Sequence, residues 1–537
     1  MRFVLFTLCL LGLSCSMSTI VTPTTPTIDI SQQNLRTNLE FLASDELEGR
    51  EAGTRGEKLA ALYLRSQLEH YGIRPFALQK YASDSVFSFF QNYEAAKIAL
   101  LPGSAVTLFD STSRKETRLS YGEYFSNFHE YLFPVSFQAP LVFAGYGITA
   151  PEYNHDDYAN LDVKGKIVIV IDGEPASDDM EYFSGSIATY YSSTLFYKRH
   201  RAQELGARGM ISLAYPQLLD KWADFIDYFK SSILHFGSTS LFEADSTRMP
   251  FYYCGHEMMR QLLSSQAFPY DSITSRIETG RPLPVFPLKG ISGRIRVNTA
   301  VQDVRAMNVI GFIPGTDPNL KNEVVAIGAH FDHLGVDGDG QVYNGADDDG
   351  SGTVAVLEAA RVLNALKQNR RSILVVFHGA EEKGLIGSEF LTDTTTENAF
   401  QMSQIVAQIN VDMVGREHVD SLYVIGAGRL SSEMERLVVE VNREDSLFHF
   451  NYEFDREDDP NQFYSRSDHY NYARHRIPIV FFFDGMKEDY HKTSDDVEKI
   501  DFRKIEKVTR LITRLALRIA NRDARLPVDR GHTSGTE

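Results

Sequence analysis

The chain has 537 residues, of which 43% are hydrophobic and 12% aromatic, too long for one ordinary domain and rich enough in apolar side chains for two packed units. With 54 basic against 72 acidic residues the formal charge is −18, which speaks against nucleic acid or an anionic membrane as partner, since both call for clustered Lys and Arg. There are 3 cysteines, and with Cys9 inside the leader described next at most Cys15 and Cys254 remain, so no disulfide framework is available and stability has to come from core burial.

In chain order, Met1-Arg2 precedes an apolar run, Phe3 to Leu13, that is too short to span a membrane and reads as an export signal over residues 1–16. The mature chain is then expected outside the cytoplasm, periplasmic, attached to the envelope or secreted, without a transmembrane helix. Cys15 after Leu11-Gly12-Leu13-Ser14 has the look of a bacterial lipoprotein cleavage site and offers a lipid anchor; Gly12 stands where a larger aliphatic is usual, and an ordinary cleavage site nearby is the alternative. Thr22-Pro-Thr-Thr-Pro-Thr27 gives 17–30 the composition of a linker.

From Ser31 the spacing of Leu35, Leu39 and Leu42, and then of Ala60, Leu64 and Leu68, predicts two helices around a polar turn, Ser44 to Arg50. Between 111 and 287 the texture changes to short β-like runs, Leu141–Ala144, Ile167–Ile171 and Met210–Leu213, and this stretch reads as an inserted β-rich domain. Trp222, Phe225, Tyr228 and Phe229 within it lie at helical spacing and are expected in core or interdomain packing rather than on a substrate wall. Three prolines, Pro282, Pro284 and Pro287, are taken to close it, because they fit neither a helix interior nor a central strand. The first domain, 31–110, resumes over 288–522 with edge strands at Ile291, Arg294–Val297 and Asn308–Gly311. Buried-type runs follow at Val324–Ile327, Ile373–Phe377, Ile405–Val411 and Ile479–Phe483, with helical patterns at Val354–Leu366 and Ile505–Ile519. Residues 523–537 read as a flexible tail. The alternation of strand and helix predicts an α/β fold, a mixed and mainly parallel sheet flanked by helices.

Chemistry-bearing residues gather where these runs end. His330 and Asp332 follow the first run, Asp347-Asp348-Asp349 opens the next helix, Glu381-Glu382 follows the second run, Asp412 the third, and Tyr490-His491 the fourth. Loops at the carboxyl ends of parallel strands converge on one crevice, so these groups should share a site. A mixed set such as His330, Asp348, Glu382, Asp412 and His491 suits borderline divalent ions such as zinc, and a carboxylate-rich site can hold two with one carboxylate between them. Such a pair serves hydrolysis; Glu381 could act as general base, Asp332 could fix the far nitrogen of His330, and Tyr490 could donate to an oxyanion or be an ordinary interior tyrosine.

The ordered set His330-x-Asp332, Gly345-Ala346-x-Asp348-x-Gly350-Ser351-Gly352, Glu381-Glu382, Asn410-x-Asp412-Met413, Arg466-Ser467-Asp468-His469 and Tyr490-His491-x-x-x-Asp495 resembles that of the co-catalytic zinc aminopeptidases, the family of secreted bacterial leucyl-type aminopeptidases and glutamate carboxypeptidase II. The resemblance runs from about Leu35 to Ile519 and implies a three-layer fold and two zinc ions per chain, one on His330 and Asp412, the other on Glu382 and His491, with Asp348 bridging. It also implies Glu381 as base, Asp332 as orienter, Tyr490 as oxyanion donor, and peptides with a free amino terminus as substrate. Asp347-Asp348-Asp349 is ambiguous by itself; the middle residue is chosen because the family's bridging carboxylate falls there. Val163-Lys-Gly-Lys-Ile-Val168 and Ala202-x-x-x-Gly206-Ala207-x-Gly209 resemble a protease-associated domain, a kind that typically borders a substrate entrance. Relatives often carry Pro where Thr493 stands here. A glutaminyl-cyclase-like transferase, a carboxypeptidase or dipeptidase, and a non-catalytic receptor-like protein are the alternatives on the same fold; the receptor-like relatives lose ligands, and every ligand position is filled here.

Overall fold

The computed structural model describes residues 28–530 apart from 82–83, 128–132, 176–181, 184–188, 221, 224–225, 227–232, 238–248, 394–400, 417 and 460. The export signal, Cys15 and most of the linker lie outside the described residues, as do Phe225, Tyr228 and Phe229.

Helices α1 (Gln32–Leu42) and α2 (Arg55–His70) bury Leu35, Leu39, Leu42, Ala60, Leu64 and Leu68 along one stripe each and lead to the long strand β1 (Phe90–Leu100). The chain then builds a second sheet from β2 (Ala105–Asp110), β3 (Lys115–Ser120), β4 (Val135–Ala144), β5 (Ile167–Ile171), β6 (Gly209–Leu213), β7 (Phe251–Cys254) and β8 (Val285–Val297). It returns through β9 (Thr299–Ile313), β10 (Val324–His330), α3 (Gly352–Leu366), β11 (Ser372–His378), β12 (Ile405–Val411), β13 (Ser421–Ile425), α4 (Ser432–Asp445), β14 (Ile479–Phe483) and α5 (Phe502–Ala520).

The main sheet runs β1-β9-β11-β10-β12-β14-β13, with the short strands Ile233–Phe236 beyond β1 and His449–Asn451 beyond β13. Its centre, β11-β10-β12-β14, is parallel, and both faces are covered. Alternation along β10 shows why: Val325, Ile327 and Ala329 face a core shared with α1, α3, α4 and α5, whereas Val324 and Ala326 face a smaller core with Leu391, Leu430 and Tyr472. Three layers result, and α5 docks through Ile505, Val508, Leu511, Ile512, Leu515 and Ile519, all buried.

The hydrogen-bonded ladders move the insert's limits from 111 and 287 to about 105 and 297. Strand β2 pairs with both β3 and β8, and β8 runs between β2 and β4, so 105–110 and 288–297 belong to the second sheet, and Ile291 to Val297 are internal rather than edge positions. Pro287 sits inside β8 after all, because a bulge between Pro287 and Ser292 relieves the ladder there. Likewise Asn308–Gly311 lies in β9, flanked by β1 and β11. The insert is not purely β either: β4, β5, β6 and β7 are parallel neighbours, with helices at His256–Leu263 and Tyr270–Glu278. Trp222 packs on its core.

The described ends of the chain, 28–30 and 523–530, are docked on the main unit. Ile28, Ile30 and Leu526 are buried, the Arg510 guanidinium donates to Ile28 O, and Arg525 pairs with Glu323. Residues 531–537 lie outside the described residues. No helix among the described residues is long and apolar enough to cross a membrane.

Candidate metal centre

The carboxyl ends of β10, β11, β12 and β14 deliver the expected residues to one crevice. His330 is the last residue of β10, Asp412 follows β12, Glu381 and Glu382 follow β11, and His491 comes from the loop after β14. Around Asp348 they close in two groups. His330 Nε2 is 3.2 Å from Asp348 Oδ1 and 3.5 Å from Asp412 Oδ1; His491 Nε2 is 3.3 Å from Asp348 Oδ2 and 3.1 Å from Glu382 Oε2. Asp348 thus presents one oxygen to each group, and Glu381 Oε2 stands 3.9 Å from His330 Nε2.

Local chemistry explains how three consecutive aspartates take three different jobs. Gly345 adopts φ +56°, where a Cβ would lie 2.3 Å from Asp348 O, so only glycine admits this turn. Past it, the Asp347 carboxylate accepts from Gly415 N (2.7 Å), and that of Asp349 accepts from His330 N (3.2 Å), Gly352 N (2.8 Å) and Met413 N (3.1 Å). Asp349 thereby holds the first amide of α3 and ties β10 to the loop after β12, which leaves Asp348 to face the crevice. Asp495, last in the motif Tyr490-His491-x-x-x-Asp495, accepts from Asp347 N and Asp348 N (3.0 and 3.1 Å) and pairs with Arg416.

Asp332 is placed differently from the simplest reading. Its carboxylate accepts from Glu381 N (3.0 Å) and Glu382 N (3.4 Å), and lies 3.7 Å from His330 Nδ1; the closer acceptor for that nitrogen is the Asp332 main-chain oxygen, at 3.2 Å. Asp332 therefore orients the Glu381-Glu382 turn as well as the imidazole. Ser467 supplies the same service to Asp412, donating to Oδ2 at 2.7 Å. Tyr490 stacks on His491 with ring centroids 3.7 Å apart, and its hydroxyl accepts from Arg466 at 3.3 Å. Met413, Phe463, Phe481, Phe483 and Met486 complete an apolar wall beside the charged groups. All the cleft residues come from the 330–491 stretch; the insert contributes none among the described residues.

Burial works against every charge here, and the neighbours decide which survive. Asp412 and Glu381 outweigh the burial of His330 and hold its imidazolium well above the ordinary value; Glu382 and Asp348 do the same for His491, raised to about 10. Despite burial and the nearby Glu382, hydrogen bonds from His330 and His491 lower Asp348 to about 2. Glu381 goes the other way: burial and Asp412 outweigh His330 and push its carboxyl well up.

Sequence reasoning missed two participants. Arg50, buried, spreads its donors over Leu42 O, Phe331 O, Asn344 O and Gly345 O, joining the α1 end to the loops that carry His330 and Asp348. His333, fully buried, puts Nδ1 2.8 Å from Glu382 Oε1. Neither ring nitrogen of His333, nor Asp412 Oδ1, makes a hydrogen bond among the described residues. Buried polar atoms are rarely left so, and His330/Asp348/Asp412 and His333/Asp348/Glu382 each bring three ligand atoms within reach of one cation. The donor chemistry and the orphaned atoms both fit zinc.

Fold and donor set are similar to those of zinc aminopeptidases. Residues 308–516 match the model of Peptidase family M28. Aminopeptidase YwaD of Bacillus subtilis is 35% identical over 122 residues, 22% of this chain and 24% of the relative. Leucine aminopeptidase 1 of Uncinocarpus reesii is 30% identical over 225 residues, 39% of this chain and 54% of the relative. The matches thus span between about a quarter and just over half of these relatives' length. Among solved structures, an aminopeptidase from Aneurinibacillus sp. strain AM-1 superposes with a TM-score of 0.59 at 19% identity, covering 94% of this chain and 97% of that one. A zinc aminopeptidase from Bacillus subtilis gives 0.51 at 19% identity, covering 91% and 95%. At such identities the likeness is one of fold, and it extends over both sheets.

Proposed function

We propose that the chain is a zinc-dependent aminopeptidase that releases the first residue from peptides with a free amino terminus. The observation that carries this reading is the pair of donor groups sharing Asp348, with Glu381 beside them, at the carboxyl edge of an M28 sheet. Two zinc ions, one on His330 and Asp412 and one on Glu382 and His491 with Asp348 common to both, would acidify a water and stabilise charge developing on the attacked carbonyl.

The protein groups have separable tasks. Glu381, beside the donor groups at the cleft, is suited to take a proton and return it to the leaving nitrogen. Asp332 keeps Glu381 in place through its amide, and Tyr490, which lines the cleft, would donate to the oxyanion. The substrate's ammonium would lie against Glu381 and Asp412, and its first side chain against Met413, Phe463, Phe481, Phe483 and Met486, which favours apolar residues. Turnover of aminoacyl amides beside their N-acetylated forms tests the reading: the free amines should be cut and the blocked ones should not. Internal cleavage of blocked peptides at comparable rates would overturn it.

The apolar start of the sequence supports export, with Cys15 as attachment point for a lipid, and the motifs at Val163 and Ala202 support a protease-associated role for the insert. Cell fractionation tests the first; activity confined to the cytosol with the leader intact would contradict it.

A further inference from the structure

His333 stands outside the ligand set that the family resemblance supplies, yet its ring is completely buried, with Nδ1 2.8 Å from Glu382 Oε1 and 4.0 Å from Asp348 Oδ2. In spite of the short approach, neither of its nitrogens is in hydrogen-bond alignment with anything among the described residues. His333, Asp348 and Glu382 bring three buried ligand atoms within 4.8 Å of one another, close enough to share one cation. His491 Nε2 reaches the same two carboxylates at 3.1 and 3.3 Å, and the two imidazoles stand 6.0 Å apart at 70°.

The backbone holds the ring in this position. His333 N donates to Arg50 O (3.3 Å), and the Arg50 guanidinium fixes Phe331 O and Gly345 O on either side. A Cβ on Gly345 would fall 2.5 Å from His333 Cγ, so the left-handed glycine that turns Asp348 into the crevice also makes room for this imidazole.

We propose that His333 is a metal ligand, contributing Nδ1 to the ion held by Glu382, His491 and Asp348. The inference rests on the dinuclear reading above and makes its two positions unequal. The His333/His491/Glu382 position has one more imidazole than the His330/Asp412 position, and the added nitrogen donor favours borderline divalent ions, so zinc should load there first.

Metal-free protein titrated with Zn²⁺ in a calorimeter, and with Co²⁺ followed by absorption and paramagnetic NMR, tests this. For the wild type we expect a tight event followed by a weaker one, and in the Co²⁺ form a strongly shifted, solvent-exchangeable ring N–H from His333 besides those of His330 and His491. His333→Phe, which keeps bulk without a donor, should weaken the tight event by more than the roughly 10–100-fold that loss of an outer hydrogen-bond partner costs. It should leave the weaker event within about threefold, and His333→Asp, which restores a donor, should recover part of the loss. A wild-type Co²⁺ form without a shifted His333 N–H overturns the inference even if His333→Phe fails to fold, and so does a tight event that His333→Phe weakens by no more than roughly a hundredfold. Wild-type protein that takes up no second ion would instead overturn the dinuclear reading itself.

Discussion

The two sheets contain nearly interchangeable centres that end in opposite ways. In the insert, β5 and β6 are parallel, five residues each and fully buried; in the main unit, β10 and β11 are parallel, seven residues each and fully buried. Past β5 the chain satisfies itself. Lys198 donates to Ile171 O at 2.8 Å and to Gly173 O, Thr194 donates to Asp172, and Asp172 N closes on Leu213 O. Past β10 and β11, imidazoles and carboxylates accumulate beyond what they can satisfy among themselves, with His333 and Asp412 Oδ1 left over. A parallel sheet supplies the crevice in both cases; a surplus of ligand atoms is what distinguishes the metal centre from a closed strand end.

The sharpest way to break this comparison is to remove the shared carboxylate. Asp348→Ala takes an oxygen from each donor group, so both ions should be lost and turnover should fall by more than the roughly 10⁴-fold upper share of a general base. Metal analysis beside kcat checks it, and prolonged chelation of the wild type should reproduce it, with recovery on adding zinc. A variant that kept two tightly bound ions would show that Asp348 is not shared.

Next in size is the neighbour pair. Glu381→Gln keeps its shape and loses the proton acceptor; it should bind metal normally while kcat falls by roughly 10²–10⁴-fold. Glu382→Gln should lose one ion and regain part of its activity in excess zinc, whereas zinc should do nothing for Glu381→Gln. Calorimetric titration showing the lost ion in the Glu381 variant would exchange the two roles.

How much of this was legible in the sequence depends on how local the cause is. The strands of the main sheet are apolar runs bounded by polar clusters, and α3 and α5 follow from the spacing of Val354–Leu363 and Ile505–Ile519, so their order was readable. Each ligand candidate follows one of those runs or opens a helix, and the crevice brought all of them together. The insert's borders were not readable, because β2 and β8 find each other across 180 or so intervening residues and Pro287 is tolerated only through a bulge set by that pairing. Nor was Arg50, whose polar-turn context hides a side chain bonded to carbonyls nearly three hundred residues away. Nor was His333, one residue past Asp332, whose approach to Glu382 depends on the Gly345 turn, which no periodicity reveals.

A smaller effect is expected from a closed pair inside the main unit. Lys504 of α5 and Asp484 after β14 form a fully buried ion pair, with Asp484 also accepting from Arg416 N at 3.0 Å. Lys504→Met leaves a buried carboxylate without its cation and should cost about 3–5 kcal/mol of unfolding free energy in a denaturant titration. Because the pair lies behind the crevice and not in it, metal stoichiometry of the folded variant should stay unchanged. Loss of metal without loss of stability would mean that the strand ends are coupled more tightly than the comparison holds.

The smallest effect, and the one that isolates the insert, comes from Lys198. Lys198→Met removes the donor to Ile171 O and Gly173 O, and the two carbonyls left behind should cost about 1–3 kcal/mol, with metal content and kcat untouched. Burial lowers the Lys198 ammonium from 10.5 to about 8, in spite of the opposing attraction of Asp172. A lysine whose folded value is depressed binds fewer protons in the folded than in the unfolded chain between those two values, so its contribution to stability improves as pH rises from about 8 toward 10.5 and is at its least favourable below 8. Tyr121, Tyr146 and Tyr270 in the same unit are raised to about 12 by burial, and their opposite pull begins only near 10, where unfolded tyrosines start to ionise. Between pH 8 and 9.5 the difference in unfolding free energy between wild type and Lys198→Met should therefore widen in favour of the wild type. A difference that stayed flat over that window would mean that Lys198 keeps its charge in the folded insert, and that the closed strand end holds an ammonium ion rather than a neutral amine.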